Sequence, residues 1–167
     1  RADGAQVAER SYAVSVAPRS VTRIAVPPAI VDSPDPAGEF IVATLDDKRA
    51  LWHFAPPRDA GPPAAPLEIT VAVVSGGLDI SVRSRDLARD VLVQPDRIHP
   101  DATVDRGFTT VLPGEEEVFR VRAPEMLDLE SASAPFVVAS LRDIIDPDWA
   151  DSAWYAGAGL GQGRAKI

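Results

Sequence analysis

The sequence predicts an all-β chain of sandwich-like domains, and three observations carry that prediction. Apolar and polar residues alternate in short runs, as in Leu67, Ile69, Val71 and Val73 and again in Leu78, Ile80 and Val82. The 16 prolines and 11 glycines punctuate these runs, where they make turns and deny a helix its backbone donors. No stretch sustains the 3.6-residue period of a long amphipathic helix. With 167 residues, 46% of them apolar and 25% charged, the chain can bury one large core or two small ones.

Tyr12, Val14 and Val16 alternate with small or polar residues, and Thr22, Ile24 and Val26 do so after Pro18-Arg19-Ser20, which predicts a hairpin. A proline-rich acidic crossover, Pro27 to Pro36, leads to a strand over Phe40–Leu45; the chain then turns at Asp46-Asp47 into Leu51-Trp52-His53-Phe54. Four strands in residues 1–55 bury too little apolar surface to stand comfortably alone. Residues 1–55 are therefore expected to be the C-terminal part of an incomplete sandwich whose first strands lie upstream. The lack of an initiating Met fits that expectation. Its open face is expected to pack on the second domain or on another copy. Residues 56–66, rich in proline, form the predicted linker.

The second domain is predicted over residues 67–145. Ser75-Gly76-Gly77 supplies the positive backbone angles of a tight turn between the two best-alternating strands. Leu87–Val93, Phe108–Leu112, Val118–Val121 and Phe136–Leu141 are the next strands, with a short edge element at Thr103-Val104 and one helical turn in Pro95–Pro100. That approaches the seven strands of an immunoglobulin-like sandwich. Residues 146–167 are expected to be an extended tail of Ala, Gly and Asp carrying Trp149, Trp154 and Tyr155.

A net charge of −8 disfavours nucleic acid and anionic membranes as partners, because both present negative surfaces. A neutral sugar is unaffected. Without cysteine the chain has no disulfide framework, thiolate nucleophile or thiolate metal site. No apolar run reaches the ~20 residues that span a bilayer, and no signal peptide is evident, so a cytoplasmic location is favoured.

The stretch Ser84 to Phe119 carries a resemblance. Ala88-Arg89-Asp90-Val91-Leu92-Val93 is followed by Asp105-Arg106-Gly107-Phe108 and then by Leu112-Pro113-Gly114-Glu115. This resembles the closing immunoglobulin-like domain of family 2 glycoside hydrolases of the β-mannosidase type, where an Asp-Asn-(aromatic or Gly)-Phe element precedes Leu-x-Pro-Gly-Glu. Arg106 stands where that pattern has Asn. Arg49-Ala50-Leu51-Trp52-His53-Phe54 with Pro56-Pro57-Arg58 is similar to the end of the preceding sandwich in the same family. The resemblance implies a large exo-glycosidase that removes terminal β-linked mannose, of which this chain is a non-catalytic C-terminal accessory segment. Its implied partner is the upstream part of the same polypeptide, with homodimerisation through an exposed sheet and oligosaccharide binding as further expectations.

No catalytic residue carries over. A retaining glycosidase needs two carboxyl groups about 5 to 5.5 Å apart, and in family 2 enzymes the acid/base Glu follows an Asn, of which this chain has none. Glu115, Glu116 and Glu117 read as a solvated turn, and Glu68 as the outward position of an alternating strand. A (β/α)8 barrel needs roughly 200 residues with repeated helices, which places catalysis upstream. Trp149, Trp154 and Tyr155 are candidate sugar-stacking or interface aromatics, since ring faces stack on pyranose CH groups. Packing of the tail over a hydrophobic edge is the competing reading, and Trp52 reads as a core or inter-domain packing residue. Asp143, Asp146, Asp148 and Asp151 lack the EF-hand pattern, and His53 and His99 lack partners at ligand spacing. Neither a metal site nor a cofactor site is therefore expected. The charges of Arg83, Arg85, Asp86, Arg89 and Asp90 are expected to pair across strands at the sandwich rim.

Overall fold

A computed structural model of the chain describes residues 1–59, 66–123, 132 and 137–145. The chain divides into two compact units, Arg1–Pro62 and Pro63–Ile167. The division falls inside the proline-rich stretch expected as a linker.

In the first unit a short helix, α1 (Pro28–Val31), precedes a single antiparallel hairpin of β1 (Phe40–Leu45) and β2 (Lys48–His53). Helix α1 starts on a proline, whose fixed φ suits the first helical position. Asp46 takes φ +51 at the first loop position, as a primed two-residue hairpin turn requires. The hairpin expected over residues 12–26 does not form a ladder. Its turn exists, with the Ser20 N–H and hydroxyl both donating to the Ala17 carbonyl (3.2 and 2.7 Å), and the Tyr12 hydroxyl donates to the Ala25 carbonyl at 3.2 Å. The two arms nevertheless carry no strand pairing and leave Val14, Val16, Ile24 and Val26 exposed. Alternation supplied the pleat but no neighbouring strand supplied a partner. Among the described residues, this unit buries no apolar side chain.

The described residues of the second unit form a sandwich of two sheets. One sheet has the order β3-β4-β8-β6, from β3 (Glu68–Val74), β4 (Gly77–Arg83), β8 (Glu116–Arg122) and β6 (Thr103–Val104). The other has the order β7-β5-β9, from β7 (Thr109–Val111), β5 (Ala88–Val93) and β9 (Val138–Ala139). The seven strands divide four and three; in chain order the first sheet takes the first, second, sixth and fourth of them, so β8 stands where the A-B-E-D order of an immunoglobulin sandwich has its fifth strand. Strand β4 buries Leu78, Ile80 and Val82 completely, and Phe119 and Val121 of β8 lie beside them; from the other sheet come Val91, Val111 and Val138. On β4 and β8 every second residue thus points into one shared core.

Two departures from expectation have local causes. The predicted strand Phe136–Leu141 is cut to Val138–Ala139, because Ser140 starts a helix, α2 (Leu141–Ile145). The Ser140 N–H and hydroxyl both donate to the Asp143 carboxylate at 2.7 Å, which satisfies a donor left free at a helix start. In β5 the register slips by one residue between Ala88 and Val91, and Asp90 takes φ +50. That is a β-bulge with a left-handed residue in it. The helical turn at Pro95–Arg97 and the edge strand at Thr103–Val104 form where the sequence placed them.

Candidate functional site

Two places in the described chain combine an exposed aromatic ring with a defined setting. The first is the loop Asp105-Arg106-Gly107-Phe108 of the second unit. Asp105 is locked to β8, its N–H donating to the Arg120 carbonyl (3.1 Å) and its carboxylate accepting the Arg120 N–H (2.9 Å). The Arg106 guanidinium bridges Asp105 (3.4 Å) and Glu117 (3.0 Å), and Arg120 also reaches Asp105 at 3.4 Å. Partial burial pushes the Asp105 carboxyl upward, but the Arg120 N–H bond and the two guanidinium groups outweigh it and hold the carboxyl below its ordinary value. Phe108, at the end of this loop, is 72% exposed.

The second place is the β1–β2 hairpin. Its register sets Ile41 opposite Trp52, Ala43 opposite Ala50 and Leu45 opposite Lys48 on one face, and Phe40 opposite His53 and Val42 opposite Leu51 on the other. The first face is therefore mainly apolar, while the second also carries Thr44 opposite Arg49 and is half polar. Of the two packing roles expected for Trp52, core or inter-domain, its 65% exposure rules out the core; no layer among the described residues covers that face of the two-stranded sheet. Phe40 and His53 pack with ring centroids 6.0 Å apart. An open groove of about 720 Å³ lies in the same unit, between Ala8–Arg10 with Tyr12 and Ala25–Ile30.

At the start of β1 sits Glu39, the one acidic residue buried among those described (8% exposed). It accepts the Ser33 hydroxyl at 2.7 Å and the Arg1 guanidinium at 3.4 Å. The Ser33 bond above all, with help from Arg1, lowers its carboxyl below the ordinary range against the opposing effect of burial.

The remaining sequence candidates separate. Glu116 faces Arg83 (3.5 Å) and Glu117 faces Arg106, while Glu68 pairs with Arg85 (3.5 Å). These are rim pairs of the kind expected for the charged string. Asp143 caps α2, and the His99 ring accepts the Asp101 N–H at 3.1 Å. No group of three metal-ligating side chains converges among the described residues. Trp149, Trp154 and Tyr155, with Asp146, Asp148 and Asp151, lie outside the described residues. No helix among the described residues is long and apolar enough to cross a membrane. Sequence reasoning missed the exposed Phe108, although the Gly107 before it and the charges around it mark a surface loop.

No protein-family model matches this chain, and no curated protein matches it.

Proposed function

We propose that this chain is a non-catalytic accessory segment of a β-mannosidase-like glycoside hydrolase, and that its work is packing. The observation that carries the packing role is the contrast between the two units. Every buried apolar side chain described lies at Leu78 or beyond, while the first unit exposes Val14, Val16, Ile24, Leu45 and Trp52. A hairpin whose Ile41–Trp52 face is apolar needs a further layer over that face. The glycosidase name rests on the Asp105–Phe108 and Leu112–Glu115 elements, where a locked Asp and an exposed Phe form one rigid corner of the sandwich. The test is the native polypeptide, purified from its source and assayed on a chromogenic β-D-mannopyranoside beside the 167-residue chain. The native polypeptide hydrolyses it and the chain does not; a native polypeptide inert on this substrate overturns the reading.

Trp52 favours a second reading, a carbohydrate-binding module, because an exposed indole can stack on a pyranose. Its neighbours on that face argue for a protein cover instead. Ile41, Ala43, Ala50 and Leu45 offer no side-chain group that would bond a sugar hydroxyl, and the remaining neighbour, Lys48, is engaged by Asp47 at 2.6 Å at the turn end of the hairpin. Titration calorimetry with manno-oligosaccharides separates the two, heat lost on Trp52→Ala favouring the module.

A further inference from the structure

Strand β3 ends one side of the four-stranded sheet and pairs only with β4. Exposed edges are normally blunted by shortness, charge, proline or a bulge. The other edge strands of the sandwich, β6, β7 and β9, are two or three residues long. Strand β3 runs for seven, Glu-Ile-Thr-Val-Ala-Val-Val, with its single charge at the first residue and neither proline nor bulge. Which of its backbone groups are free follows from the ladder. The Arg120 carbonyl accepts the Asp105 N–H, so residue 120 faces β6 and residues 119 and 121 face β4. By alternation, residues 78 and 80 of β4 bond β8, while residues 77, 79 and 81 bond Val74, Ala72 and Thr70 of β3. The N–H and C=O groups of Ile69, Val71 and Val73 therefore point out of the sheet, and no described residue bonds them.

The side chains of the same three residues lie on the core face, opposite Val82, Ile80 and Leu78, all of which are fully buried. Ile69 and Val71 are only half-buried against that core, and Val73 is 57% exposed beside a completely covered Leu78. The core is thus open along β3. A strand that completes it must bring free backbone groups at every second residue and apolar side chains on the core side of those residues. Strand β3 itself meets both conditions, because its three free residues are symmetric about Val71. Strand β1 meets them less well: its outward-facing residues end on Thr44, and no buried apolar side chain lies behind it.

We propose that β3 pairs antiparallel with β3 of a second copy of this chain, about a two-fold axis at Val71. Ile69 of each copy then lies opposite Val73 of the other, and Val71 opposite Val71, each pair exchanging both hydrogen bonds. The exposed Val73 gains an isoleucine neighbour, and the two four-stranded sheets become one. On the outer face Thr70 meets Ala72, and Glu68 meets Val74. Glu68 is already paired with Arg85 of its own chain at 3.5 Å, and the two Glu68 residues fall at opposite ends of the ladder, so no like charges are opposed. The pairing draws on the second unit alone and does not depend on the glycosidase reading.

Sedimentation velocity and residue-resolved hydrogen exchange on the 167-residue chain, at low and high micromolar concentration, test it together. The chain sediments as a dimer at the higher concentration and dissociates on dilution, and the amides of Ile69, Val71 and Val73 exchange at least ~10-fold more slowly in the concentrated sample. Those of Leu78 and Ile80, bonded to β8, are protected at both concentrations and report that the sandwich is folded. Val71→Pro removes an edge-facing donor at the two-fold axis, and Val73→Lys puts a charge on the core side of the edge. Each variant weakens dimerisation at least ~10-fold with the control amides still protected; should Val71→Pro fail to fold, Val73→Lys decides, since its position is already mostly exposed. A chain that stays monomeric overturns the proposal, as does a dimer that Val73→Lys leaves intact. A dimer whose three edge amides exchange freely also overturns it and assigns association to the exposed apolar residues of the first unit. Edge amides equally protected at both concentrations overturn it in favour of a cover from within the chain.

Discussion

Gly76 and Gly77 are adjacent in the β3–β4 turn, yet alanine should be costly at the two positions for different reasons and by different amounts. Gly76 has φ +78, and a Cβ built on it meets nothing within 4 Å. Gly76→Ala therefore incurs only the left-handed backbone penalty, about 1–2 kcal/mol. At Gly77 the Cβ would fall on the carbonyl of Val121, too close for any real contact, with the Arg122 backbone beside it. Those atoms belong to β8, which is held by β4 on one side and β6 on the other. A flexible side chain could swing away; a doubly paired strand cannot. Shifting it disturbs the register that buries Leu78, Ile80, Phe119 and Val121, so the loss should exceed the ~1–3 kcal/mol of ordinary overpacking. Urea titrations followed by far-ultraviolet circular dichroism measure both variants. Gly76→Asn provides the control, since Asn accepts the left-handed region and should recover part of the Gly76→Ala loss. A Gly77→Ala variant as stable as Gly76→Ala would refute the reasoning, because it would mean that β4 and β8 do not approach as described.

Asp105 carries the pH prediction. Its native carboxyl is held below the unfolded value near 3.8, so its contribution is fully present above that pH and is lost as pH falls from there through the lowered native value. Acid titrations of Asp105→Asn should lack this component of the loss between those two limits, and a variant with an acid profile identical to the parent would count against the Arg106–Asp105–Arg120 cluster. Ser84 is fully buried and its hydroxyl has no hydrogen-bond partner among the described residues. Ser84→Ala should therefore be neutral or stabilising by up to about 1 kcal/mol in the same urea assay, and a loss larger than that would reveal a bond the geometry lacks. At the β5 bulge, Asp90→Gly should match or exceed parental stability by about 0.5 kcal/mol, whereas Asp90→Val should lose about 1–2 kcal/mol through its left-handed backbone. Equal stability of the two variants would show that the bulge relaxes at no cost.

How far the sequence is legible depends on whether a strand's partner is near it in the chain. The β3–β4 hairpin is readable because two alternating runs flank Ser75-Gly76, so the turn itself fixes the register. Strand β1 is readable for the same reason, its partner beginning after a two-residue loop. Residues 12–26 carry equal alternation and a turn, but no ladder closes over them. Asp90 gives no sign in the sequence of being a bulge, since its left-handed angle follows from how β5 meets β7. The lock between Asp105 and Arg120 spans fifteen residues and a strand crossing, and no local spacing announces it.

The sequence by itself determined the all-β class and most strands, because side-chain period and turn chemistry are local properties. The tertiary structure decided which alternating runs find a partner, that Trp52 and Phe108 face outward, and that the buried apolar side chains described all belong to the second unit. Burial depends on a second layer arriving from elsewhere in the chain, and a pattern along one strand carries no record of that layer.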